Sequence, residues 1–140
     1  MQIYNSKQIT NFDDFMKILQ NLIKQAEFDK SLYTPNNIEQ IYRANHLQIL
    51  KDIEDLCHYY KYNSNNSDVK LRLIFVHIKQ LYLQESETLK TIDKVNVKLH
   101  YGIIDTYHEL LNWLFYTESI TTWLYSNGTY IETRDKLNLS

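Results

Sequence analysis

The sequence is poor in the residues that break or staple a chain. Its 140 positions hold one Cys, one Pro and two Gly. The lone Cys57 has no intramolecular partner for a disulfide and cannot supply a thiolate cluster, so the fold expected here does not depend on an oxidising compartment. All-β domains need turn residues every 8–12 positions or so, and Gly102, Gly128 and Pro35 are too few to provide them. Charge of one sign is also lacking, with 15 Lys and Arg against 17 Asp and Glu. A phosphate-neutralising nucleic-acid binder needs a basic surplus, and a bulk-charge DNA mimic an acidic one. Neither class fits, and direct nucleic-acid binding is not expected.

Long apolar runs are missing too. The first residues lack the stretch of about 7–15 apolar positions that a signal peptide carries. Leu73-Ile74-Phe75-Val76 and Trp113-Leu114-Phe115-Tyr116 fall far short of the roughly 20 residues that cross a bilayer. A cytoplasmic protein without a membrane span is the expectation, and the glycosylation triplets at Asn65, Asn127 and Asn138 are compositional accidents in that setting. The 44% hydrophobic content suits a packed single domain of this length.

Helical spacing fills the chain. After Thr10-Asn11, which offers a cap, Phe12, Phe15, Leu19, Leu22, Ile23 and Ala26 recur at intervals of three and four, predicting a first helix over about 11–29. Thr34-Pro35 reads as the start of a second, over about 36–62, with Ile49, Leu50, Ile53 and Cys57 on its apolar side. The polar run Asn63 to Asp68 is a loop. A third helix follows Ser67 or Asp68 to about Glu85, with a break between Ser86 and Thr91. A fourth runs from about Ile92 to Tyr116 and contains Gly102, which marks a close helix crossing or a bend. A short helix through Ile120, Trp123 and Leu124 ends at Ser126-Asn127-Gly128, with the glycine in the left-handed position. From about 129 a polar, flexible tail is expected. The fold class is thus all-α, a compact bundle of four to five helices. The alternative is α+β, because residues 69–76 and 94–100 alternate like a two-stranded element.

Three constellations invite a chemical reading. Asp55 with His58, and Asp105 with His108, each set a carboxylate and an imidazole three apart on one helix face, as carboxylate-bridged metal sites do. Pairs at this spacing also arise by chance among 17 acids and five histidines, and no metal or other cofactor is expected. Arg72-Leu73-Ile74-Phe75-Val76-His77 resembles, in spacing, the Arg-x4-His pattern of the HEPN family of helical ribonucleases. That resemblance implies an Arg that polarises the scissile phosphate and a His that moves protons, at a site shared by a dimer. Leu73 departs from the family's polar residue after the Arg, and positions five apart on a helix diverge by about 140°. Cys57 beside His58 reads as a buried thiol, since neighbouring helical side chains point about 100° apart. His46 and His100 stand alone as structural histidines, and no glycine-rich phosphate loop exists.

Aromatic residues are in surplus, with 12 Tyr, 5 Phe and 2 Trp. Tyr59, Tyr60 and Tyr62 cluster at one helix end, and Tyr116, Trp123, Tyr125 and Tyr130 gather in the C-terminal third. Tyr and Trp join large contact area to few rotatable bonds, which suits the centre of a protein interface. The composition, rich in Ile, Asn, Lys and Tyr with only Ala26 and Ala44 as alanines, is also what AT-rich codons produce. The functional expectation is a non-enzymatic protein-binding module, such as an inhibitor, immunity or regulatory protein of a phage or mobile element. Its partner-binding residues would be Tyr116, Trp123, Tyr125 and Tyr130; a homodimer is a further option. The alternative is a HEPN-like, metal-independent ribonuclease using Arg72 and His77.

Overall fold

Asparagine and its short polar relatives set where the helices begin. The structure, a computed structural model, describes residues 9–32 and 37–139. Asn11 opens α1 (Phe12–Ser31), its side-chain oxygen accepting the Asp14 N–H at 2.8 Å, and Asn37 does the same for Glu39 at the start of α2 (Ile38–Lys61). The expected start signal at Thr34-Pro35 lies outside the described residues. Asn66 caps α3 (Ser67–Thr91) through the Val69 N–H, one residue ahead of the expected Ser67 or Asp68. Asp93 caps α4 (Lys94–Val97), and Thr117 caps α6 (Glu118–Ser126).

The third helix is longer than the sequence suggests. The break expected between Ser86 and Thr91 does not occur, because the hydroxyls of Ser86, Thr88 and Thr91 turn back onto the carbonyls of Tyr82, Gln84 and Thr88. These residues therefore stay within the helix instead of ending it. The chain turns at Ile92, which is extended, and α4, a 3-10 turn (Lys98–His100) and α5 (Tyr101–Phe115) follow almost without interruption. The single fourth helix expected over 92–116 is thus a succession of helical pieces. Residues 69–76 and 94–100 are helical, so the strand alternative is not realised, and no strand occurs among the described residues. In a strand Leu71 and Leu73 would share a face. Here Leu71, Ile74, Phe75 and Ile78 are buried at helical spacing and Leu73 is 37% exposed.

The protein is all-α. The helices pack most extensively as α1 on α2, with α5 against both α2 and α3. Phe12, Phe15, Leu50, Ile53, Phe75 and Phe115 are among the largest side chains fully withdrawn from water, each contributing about 1.5–3 kcal/mol of burial. Polar contacts fix the crossings. Ser67 Oγ accepts the Phe12 N–H at 2.7 Å, tying the starts of α1 and α3, and the Tyr42 hydroxyl donates to Asp105 Oδ2 at 3.0 Å between α2 and α5. His100 Nδ1–H donates to Glu85 Oε1 at 2.7 Å, and His108 lies against Tyr82, so α5 runs back along α3.

The dozen residues expected to form a tail fold back as α7 (Tyr130–Lys136), and Leu137 and Leu139 enter the core. Asn138 adopts φ 55°, Leu139 N–H donates to Arg134 O at 3.0 Å and Asn138 N–H to Asp135 O at 3.2 Å, a Schellman closure with asparagine in the glycine position. No described helix is long and apolar enough to cross a membrane.

Candidate functional site

The aromatic residues of the C-terminal third are organised by the turn at Gly128. Gly128 has φ +69°, its N–H donates to Tyr125 O at 3.1 Å and the Thr129 N–H to Leu124 O at 2.9 Å, which reverses the chain after α6. That reversal sets the Tyr130 ring on the Tyr125 ring, with centroids 4.1 Å apart and planes within 8°. Tyr130 also meets Phe115 at 4.8 Å, and Phe115 meets Tyr116 edge-on at 4.8 Å. The outcome is a row of rings, Tyr125, Tyr130, Phe115 and Tyr116, rooted in the core at fully buried Phe115 and open to solvent at Tyr125, which is 61% exposed. Ile131, 52% exposed, follows directly in α7. Each ring pair contributes about 0.5–1.5 kcal/mol beyond burial, which holds the exposed Tyr125 phenol in place. Desolvation, then the neighbouring phenols of Tyr125 and Tyr116, raise the Tyr130 hydroxyl above the ordinary phenol value.

Trp123 does not join this row. It stands two positions before Tyr125 on α6, so it leaves the helix on another side, where the Arg72 guanidinium lies 5.6 Å from its ring centroid. There it forms one wall of a cleft of about 370 Å³ between α3, α6 and α7. Of the four expected contact residues the structure therefore gathers Tyr116, Tyr125 and Tyr130 and separates Trp123. The other cluster divides as well: Tyr59 and Tyr62 are exposed, whereas Tyr60 is half-buried against His77.

Arg72 and His77 serve different neighbours. Arg72 covers Trp123 of α6, and its Nε is buried with no hydrogen-bond acceptor among the described residues. His77 Nδ1 shares a 2.9 Å hydrogen bond with the Tyr60 hydroxyl of α2. Within one chain the two side chains are thus engaged by different helices, α6 and α2. The Asp-x-x-His pairs also stay apart. Asp105 accepts from Tyr42, His108 Nε2–H donates to the carbonyls of Leu137 and Asn138 at 3.2 and 3.3 Å, and Asp55 and His58 are exposed on α2. Among the described residues no three His, Cys, Asp or Glu side chains are grouped to hold a metal ion.

Cys57 is fully buried, and burial, with Glu54 adding to it, pushes its thiol up to about 12, far from a reactive thiolate. His46 belongs to a relay between helices: Thr106 Oγ1–H donates to Gly102 O at 2.5 Å, which spends its one hydrogen, so at 2.7 Å it accepts from His46 Nδ1–H. Nothing in the sequence pairs His46 with Thr106, because the two stand sixty positions apart and meet only where α2 crosses α5. No family model, curated protein or solved structure matches the chain.

Proposed function

We propose that this chain is a protein-binding module that docks its partner on the Tyr116, Tyr125 and Tyr130 face. The observation that carries the reading is the Tyr125–Tyr130 stack: two phenols locked parallel at 4.1 Å with the outer one 61% exposed. Exposed aromatic area that is already ordered loses little side-chain entropy on binding, which is how tyrosines come to dominate interface energetics. The phenol hydroxyls offer directional hydrogen bonds at the edge of the apolar rings. A cytoplasmic inhibitor, immunity or regulatory protein, of the kind phages and mobile elements encode, would use such a face to cover a site on its target.

The experiment starts by capturing the partner from the native cell on the purified chain, then measuring the purified complex by calorimetry. Replacing Tyr125 by Ala should weaken binding by about 2 kcal/mol, roughly thirtyfold, with far-ultraviolet dichroism unchanged. An affinity within twofold of wild type in this variant would rule this face out as the docking surface.

A further inference from the structure

The cleft between α3, α6 and α7 shares no residue with the tyrosine face and has a chemistry of its own. Its floor is apolar: the buried core residues Phe75, Leu124 and Leu137 lie beneath it. One wall is the half-buried indole of Trp123. Two cations line it, Lys79 from α3 and Lys136 from α7, and neither makes an ion pair among the described residues. Glu132 is the one carboxylate among the lining residues, so positive charge prevails, and Arg72 over the Trp123 ring adds to it. A volume of about 370 Å³ lies within the range of small-molecule sites, which combine apolar walls with a few placed polar groups.

We propose that this cleft binds a small amphipathic anion, with an apolar or aromatic body against the Trp123 indole and a carboxylate or phosphate head held by Lys79 and Lys136. Two ammonium groups beside a largely apolar surface, outnumbering the carboxylate, favour this occupant over a neutral or cationic molecule of the same shape. An uncharged body would leave both lysines without a partner, and a cation would be repelled. The site stands independently of the protein-binding reading, and either can fail without the other.

Nuclear magnetic resonance on the full-length, 15N-labelled chain provides the test, with the Trp123 indole N–H as reporter, assigned by its loss in Trp123→Phe. The probes are 1-naphthyl phosphate, 1-naphthoate and uncharged 1-naphthol. Both anions, or one of them, should shift the Trp123 signal saturably and bind at least about tenfold tighter than naphthol. Binding of the phosphate alone, or of the carboxylate alone, assigns the head group. The variant carrying Lys79→Gln and Lys136→Gln should lose that advantage while still binding naphthol as the wild type does, and Glu132→Gln should tighten the anions by about twofold or more. Three results would each overturn the proposal: naphthol binding as tightly as both anions, no movement of the Trp123 signal with either anion at its solubility limit, or undiminished anion affinity in the double lysine variant.

Discussion

The imidazole of His46 is partly buried where α2 meets α5, and its surroundings favour the neutral ring. Burial is the chief cause that holds it below its ordinary value, Arg43 adds to this, and Asp29 opposes it. Nδ1–H already donates to Thr106, so protonation adds charge at Nε2 without forming or breaking the relay. The sign of the linkage follows. A base whose folded affinity for protons is depressed takes up more of them in the unfolded chain, so its stabilising effect is complete above the unfolded value of 6.5 and is lost as pH falls from there through the folded value. His46→Asn keeps a nitrogen donor toward Thr106 and removes the titration. Between pH 7.5 and 5.5 the melting temperature of the wild type should therefore fall more steeply than that of the variant. Parallel profiles in differential scanning calorimetry would show that His46 is not held neutral by the fold.

At the scale of elements, the α2–α5 crossing rests on Gly102. A Cβ built there would come within 2.5 Å of the Tyr42 carbonyl oxygen and 3.2 Å of Asn45 Cβ, and the first of these is backbone of α2, which cannot step aside as a flexible side chain would. Alanine is the better helix former by about 1 kcal/mol. The overlap should outweigh that gain, and Gly102→Ala is expected to destabilise by about 2 kcal/mol in urea denaturation; a stabilised variant would mean that the helices cross less closely. This position was legible in the sequence because a glycine inside an apolar stripe has few other uses. The stripes of α1 and α2 were legible for the same kind of reason: three-and-four spacing depends only on the helix itself. What escaped was set by contacts made elsewhere in the chain. Ser86, Thr88 and Thr91 look like breakers until their hydroxyls are seen folded onto the helix carbonyls. The left-handed turn at Gly128 is legible and stacks Tyr130 on Tyr125, but two positions on a helix face away from one another, so Trp123, expected at the same helix end, lies on another side. The run Leu137-Asn138-Leu139 did carry a signal, an asparagine able to take the left-handed conformation between two apolar residues, but it sits in a segment whose charged residues read as solvent-exposed.

For the molecule as a whole, that last segment decides whether the bundle is closed. The buried core is continuous from Ile9 through α1, α2, α3, α5 and α6 to Leu139, and Leu137, with no exposed surface, is both part of it and part of the floor of the cleft. The His108 side chain holds the carbonyls of Leu137 and Asn138, so the C-terminal turn is tied to α5 by hydrogen bonds as well as by apolar contact. A core without internal seams unfolds as one unit, and truncating a residue that belongs to it should cost as much as truncating any other core leucine. Leu137→Ala is accordingly expected to cost about 2–4 kcal/mol and to lower the melting temperature by on the order of 10 °C. Far-ultraviolet dichroism and tryptophan fluorescence should still trace one coincident transition, because Trp113 on α5 and Trp123 on α6 both pack against the same core. A merely attached tail would behave otherwise: the same substitution would move the melting temperature by less than about 2 °C, and the fluorescence change around Trp123 would separate from the loss of helix.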